Sequence, residues 1–159
     1  MLSRETGRNT MDAADETSPT EGGGAVALDI RGAARRRAAA MRATALSVLV
    51  PALARGLCAR RIWVFGSVAR GVPSRDSDLD VLVAVGDTLA ALPFKERVAA
   101  AYEIAARASL PFGCDIIPWT QAELAAKRRA GGLFFRTLWE ERSLVYEHRD
   151  GIRAGRALV

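Results

Sequence analysis

Ile62-Trp63-Val64-Phe65-Gly66-Ser67-Val68-Ala69-Arg70-Gly71-Val72-Pro73-Ser74-Arg75-Asp76-Ser77-Asp78-Leu79-Asp80-Val81-Leu82-Val83-Ala84-Val85 is the stretch that decides the fold. Arg61 to Phe65 reads as a short buried strand, with four large β-branched or aromatic residues in a row. Gly66-Ser67 is a turn signal, and Val68 to Gly71 suits one helical turn. Val72-Pro73-Ser74 is loop. Asp78 to Val85 alternates and then becomes apolar, so it reads as a second strand.

That second strand opens with two carboxylates two residues apart. Strand side chains alternate, so Asp78 and Asp80 share a face. Two like charges held together repel and lose hydration, and a divalent cation between them removes that penalty. Oxygen-only ligands favour Mg²⁺ or Mn²⁺. Alone, Asp-Leu-Asp reads as a solvated strand edge or a turn with Asp caps. Beside the Gly-Ser turn it reads as a metal site. Gly66 lets the backbone approach a phosphate closely, and the freed N–H groups and the Ser67 hydroxyl can donate to phosphate oxygens. Arg70 and Arg75 are placed either to neutralise a triphosphate or to stand as surface charges. Asp76 has the wrong parity to join Asp78 and Asp80 and reads as a loop or capping residue, with Ser77 stabilising the turn. The four fixed residues Gly66, Ser67, Asp78 and Asp80 match by chance at on the order of 10⁻³ over a chain this long, so the spacing carries weight.

Asp115 is the third candidate. It lies between Cys114 and Ile116-Ile117, and a carboxylate in an apolar strand is costly unless paired or metal-bound. If its strand lies beside that of Asp78, three carboxylates can hold two ions. One ion would activate an attacking oxygen and the other steady a leaving pyrophosphate. Asp115 would then help to deprotonate the nucleophile. The alternative is a strand-end carboxylate in solvent.

Outward from this centre, Leu28 to Leu57 is helical, with Met41, Leu46, Leu49, Val50 and Leu53 as an apolar stripe, Pro51 as a kink or restart and Gly56 as a stop. Leu92 to Ala108 is a helix with Pro93 near its first turn. Pro111 to Ile117 holds a third strand. Thr120 and Glu123 fit a capping box opening a helix to about Arg129. Gly131-Gly132 breaks it. Leu133 to Arg142 is a last helix, and Leu144 to Tyr146 a closing extended piece. Residues 1–24, rich in Thr, Ser, Gly, Asp and Glu, are expected to be disordered. Residues 25–147 form a single domain and 148–159 a weakly patterned tail.

The chain has 159 residues, half of them hydrophobic, and a net charge of +5. That is enough for one domain with a real core. Residues 1–24 hold two arginines against five carboxylates, so the remainder carries an excess of about eight positive charges. A basic body suits a nucleotide, a nucleic acid or an acidic partner, or is simply a solvated basic surface. Cys58 and Cys114 have no metal-ligand spacing and read as reduced, buried thiols of a cytoplasmic protein. No secretory signal is visible, and the most apolar stretch, residues 45–54, is too short to span a bilayer. The sequence around His148, the one histidine, supports neither a zinc site nor a Cys–His dyad. Trp63, Trp119 and Trp139 read as core or interface rather than base-stacking platforms.

On these residues the chain resembles the DNA polymerase β-like nucleotidyltransferase superfamily, and within it the minimal nucleotidyltransferase (MNT) branch. The resemblance covers about residues 45–147. Its strongest part is Phe65-Gly66-Ser67-Val68-Ala69-Arg70-Gly71 followed by Ser77-Asp78-Leu79-Asp80-Val81. Asp115 falls at the family's third carboxylate, and Trp139 to Tyr146 looks like its closing helix and strand. Val68 and Ser143 depart from the pattern, which often has a polar or basic residue and a glycine there. The resemblance implies an α/β (α+β) fold, a small mixed sheet flanked by helices, with the active site at one end of the sheet. It implies Gly66, Ser67 and Arg70 on the triphosphate, and Asp78, Asp80 and Asp115 on two Mg²⁺ ions, with Mn²⁺ as a substitute and ATP as substrate. Larger relatives add a helical domain that grips base and acceptor, and this chain is too short to include one. Many MNT proteins are antitoxins that move AMP from ATP to a tyrosine of a HEPN ribonuclease toxin. That is the expected function, with a HEPN-type toxin as partner and no requirement for membrane or nucleic acid. The alternatives are transfer to a small molecule such as an aminoglycoside, and a binding module that neutralises a partner by contact.

Overall fold

The structure, a computed structural model, describes residues 22–148, with side chains from Asp29 onward. The expected N-terminal segment lies outside the described residues as far as residue 21, and the tail does so from residue 149. Gly22, Gly23 and Gly24 stand in the first helix.

Helix α1 (Gly22–Thr44) runs through a π-helical turn (Ala45–Leu49) into α2 (Val50–Gly56). Pro51 causes the irregularity. It has no N–H to return to the preceding turn, and the bond pattern widens just before it. Met41, Ala45, Leu49 and Leu53, spaced four apart, are buried in the main core. The stretch Asp29–Gly56 is long and apolar enough, by length and composition, to cross a membrane. It is longer than the ten residues weighed from the sequence, and its apolar stripe is buried in the core.

The remaining elements are β1 (Arg61–Phe65), α3 (Gly66–Ala69), β2 (Leu79–Ala84), α4 (Asp87–Ala90), α5 (Phe94–Ala108), β3 (Cys114–Trp119), α6 (Gln121–Ala130), α7 (Leu133–Glu141) and β4 (Ser143–Glu147). The strands form one mixed sheet in the order β3-β2-β1-β4. β1 is antiparallel to β2 and β4, while β2 and β3 are parallel. A parallel pair needs a long crossover, and α5 supplies it. The expected small mixed sheet flanked by helices is the fold that this chain forms.

Alternation along the strands separates two cores. Ile62, Val64, Val81 and Val83 face α1, α2 and α5. Trp63, Phe65, Leu82 and Ala84 face α6 and α7, where they meet Leu124, Phe135 and Leu138. All three tryptophans belong to this second layer. Trp63 and Trp139 pack at 6.0 Å between ring centroids. The Arg142 guanidinium lies 3.4 Å from the Trp139 ring centroid.

The capping box is formed as the sequence predicts. The Glu123 N–H donates to Thr120 Oγ1 at 3.1 Å, and the Thr120 N–H donates to Glu123 Oε2 at 2.8 Å. Glu123 also receives Arg97 Nη2 at 2.6 Å, an ion pair that ties α5 to the start of α6. Arg97 is 2% exposed, a buried charge that periodicity alone did not reveal. Two expectations are corrected. Neither cysteine is buried: Cys58 is exposed, in a positive-φ turn after α2, and Cys114 is half-buried. β3 begins at Cys114, so Pro111 to Gly113 is loop.

Candidate active site

β1 hands the chain to α3 through Gly66, at one end of the sheet. Gly66 has φ +68°, a left-handed conformation in which a side chain is strained. The space is closed as well, because a Cβ here would stand 2.1 Å from Asp80 Oδ2. Phe65 is the register partner of Asp80 across the antiparallel pair, which is why the turn lands against that carboxylate. The Gly-Ser turn and the second carboxylate of Asp-Leu-Asp, separated by a short loop in sequence, are thus one contact in space.

Asp78 lies just before β2 and is exposed. The Leu79 N–H donates to Gly113 O at 2.9 Å, which draws the 111–113 loop against it. A Cβ at Gly113 would stand 2.1 Å from Asp78 Oδ1. Asp115 is the register partner of Asp80 in the parallel pair. β3 is an edge strand, so Asp115 is exposed rather than sealed in an apolar strand. Tyr102, from the opposite layer, reaches round that edge and donates its hydroxyl to Asp115 Oδ1 at 3.2 Å.

The electrostatics show how close these groups are. Burial raises the Asp80 carboxyl above the usual carboxylate range, and the Asp115 and Asp78 charges raise it further, against the opposing pull of Arg70. Burial, with the same two carboxylates, also raises the Cys114 thiol. Among the described residues, no three Asp, Glu, His or Cys side chains converge as a ready-made ion cage. The donor set nevertheless fits a hard divalent cation, since it offers only carboxylate oxygens whose mutual repulsion such a charge would relieve.

Arg70 follows α3 and forms an ion pair with Glu141 at the end of α7. A cleft of about 340 Å³ opens beside this pair, lined by Gly66, Ser67, Arg70, Asp80, Phe134 and Glu141, among others. The Arg70 charge thus stands beside Gly66, Ser67 and Asp80. Arg75 is exposed in the loop, where its carbonyl accepts Arg37 Nη1 at 2.7 Å. The Ser77 hydroxyl accepts the Ser74 N–H at 2.8 Å and so braces the turn ahead of Asp78.

The α7 contribution was missed in the sequence. Phe134, Leu138 and Glu141 recur at i, i+4 and i+7 on one helix face, a spacing legible in Leu133 to Arg142 but read there only as a last helix. Tyr102 and Gly113 carried no signal of their own.

This arrangement matches known proteins at two levels. A family model described as a nucleotidyltransferase domain covers residues 52–139, more than half of the chain, from α2 through α7. Among solved structures, a candidate nucleotidyltransferase of Sulfolobus solfataricus superimposes with a TM-score of 0.52 at 17% identity. The match covers 82% of this chain and 95% of that one, and at this identity it speaks to the fold alone. No curated protein matches the sequence. The Gly-Ser turn, the Asp-Leu-Asp strand and the β1–β2 pairing that joins them all lie within the matched residues, and the chain belongs to the nucleotidyltransferase domain family.

Proposed function

We propose that the chain moves AMP from ATP to a tyrosine hydroxyl of a HEPN-type toxin, in a Mg²⁺-dependent reaction, and acts as its antitoxin. Nucleotidyl transfer is the activity its family supports. The observation that supports a triphosphate and a metal at this site is the packing of Gly66 on Asp80, with Asp115 beside it in register. Asp78, Asp80 and Asp115 would hold the metal, which would supply charge neutralisation at the triphosphate. Ser67 and the first N–H groups of α3, which have no acceptor within the helix, would bind phosphate oxygens. Arg70 would give up Glu141 for the triphosphate, and Asp115 would take the proton of the attacking hydroxyl.

A protein acceptor is supported by the surface beside the cleft. Leu133 and Phe134, at the start of α7, are 75% and 63% exposed. Adjacent large apolar groups standing in water at the mouth of a site suit a macromolecular contact. Arg129 and Arg136, both exposed and within four residues of Leu133 in the chain, favour an acidic one.

The test is to incubate the protein with α-labelled ATP, Mg²⁺ and a HEPN-type toxin encoded beside it. The label is expected on a toxin tyrosine, and ribonuclease activity should fall as the label rises. Toxin silenced without label, equally well by the D78N/D80N double variant, would replace catalysis with neutralisation by contact.

A further inference from the structure

We propose that Tyr102 is itself a nucleotidyl acceptor, so that the protein modifies its own chain at this phenol. The inference rests on the assignment of Asp80 and Asp115 to nucleotidyl transfer made above. The Tyr102 hydroxyl donates to Asp115 Oδ1 at 3.2 Å, within nucleophile–base reach. Asp115 is the carboxylate assigned to accept the nucleophile's proton, and its register partner is Asp80. Neighbouring strands lie about 4.8 Å apart, so this hydroxyl stands within a side chain's length of the reacting centre.

The Ile116 backbone also lies within hydrogen-bond reach of this hydroxyl, which keeps the phenol over the strand that carries Asp115. Tyr102 is 41% exposed, so its O–H would be satisfied by water without Asp115. Its ring borders a groove of about 340 Å³ beside Ala106, Leu110 and Phe112, which leaves it room to turn. The other tyrosine, Tyr146, is buried in the core.

In the step, Tyr102 Oη attacks the α-phosphorus of a bound nucleoside triphosphate. An O–P bond forms while the bond from the α-phosphorus to the α–β bridging oxygen breaks. The phenolic proton passes to Asp115, and pyrophosphate leaves with the electron pair. The product is a tyrosyl nucleoside monophosphate diester over Asp115, where it blocks the approach of any other acceptor.

The experiment incubates the full chain, without partner, with each of the four nucleoside triphosphates and Mg²⁺ or Mn²⁺. Intact mass and peptide mapping then locate any added nucleotide. The melting temperature with and without nucleotide reports binding in the same samples. A gain of one nucleoside monophosphate on the Tyr102 peptide is expected, absent from Y102F and from D80N although Y102F still binds nucleotide. Nucleotide binding with no mass gain, or a mass gain that persists in Y102F, overturns the proposal and leaves the nucleotidyltransferase site standing. If no nucleotide binds to folded wild type, the reading of the site falls, and this proposal with it.

Discussion

Gly66→Ala sets backbone strain against site geometry, and Gly131→Ala separates the two. Both glycines have φ +68°. A Cβ at Gly131 meets nothing within 4 Å, whereas at Gly66 it would stand 2.1 Å from Asp80 Oδ2. Alanine at positive φ costs about 1–3 kcal/mol, with Gly131 toward the upper end because its ψ of −146° lies outside the left-handed helical well, so each variant loses roughly 3–15 °C of melting temperature. Only Gly66→Ala must also push the Asp80 carboxylate away by an ångström or so. A displacement of that size at a reacting centre costs on the order of 10²-fold in rate. Nucleotide binding gives a second readout, because ligand at about 100 Kd stabilises the fold by about 2.7 kcal/mol. The assay is thermal melting of both variants with and without ATP and Mg²⁺, beside pyrophosphate release. Gly131→Ala should keep the nucleotide-dependent shift and the rate, and Gly66→Ala should lose most of both. Equal behaviour of the two variants in the presence of nucleotide would refute the role given to the Gly66–Asp80 contact.

Three further outcomes follow from the charges. Asp80 holds its proton more tightly folded than unfolded, so its contribution to stability is fully present below the ordinary carboxylate pKa and is lost as pH rises through the raised folded value. Asp80→Asn should therefore melt higher than wild type at pH 7, by a margin that shrinks toward pH 4, and divalent cations should stabilise wild type alone. Glu141→Gln frees Arg70 from an ion pair that is part-exposed; such pairs are worth about 0.2–1 kcal/mol, so triphosphate should bind tighter by up to about five-fold in titration calorimetry. Burial would raise Glu123, but hydrogen bonds from Arg97 and the Thr120 backbone hold it below the usual range, so its contribution is present above the ordinary carboxylate pKa and fades as pH falls through the lowered value. Glu123→Gln leaves Arg97 buried without its ion partner; with the glutamate side chain 38% exposed, denaturant titration should show a loss of about 1–2 kcal/mol rather than the 3–5 of a fully buried pair.

The centre of the fold was legible because local chemistry and global pairing agree there. Apolar Ile62 to Phe65, the Gly-Ser turn and Asp78 to Val85 each demand one structure, and antiparallel pairing follows from their proximity in the chain. The Thr120–Glu123 capping box was legible for the same reason. What stayed hidden depends on long-range packing. The Asp115 strand is an edge, so the desolvation argument that singled the residue out does not describe its exposed setting. Cys58 is exposed because Leu57 buries in its place at the end of α2, which no spacing announces. Short α4 lacks the length to show a period. Phe134 and Glu141 were overlooked because the helix face that carries them becomes part of a cleft only when α7 folds back against α3. Arg97 has no sequence signature, since an arginine in a helix reads as solvated until its Glu123 partner arrives from another element.

The most direct test of the account follows the label of a triphosphate. The protein is incubated with Mg²⁺ and the proposed acceptor, a HEPN-type toxin, once with α-labelled and once with γ-labelled ATP, beside variants Asp78→Asn and Asp80→Asn that fold as wild type does. The account predicts protein-bound label from the α-phosphate alone, with both variants at background. Label from the γ-phosphate, or α-label undiminished when either carboxylate is removed, would contradict nucleotidyl transfer at this site.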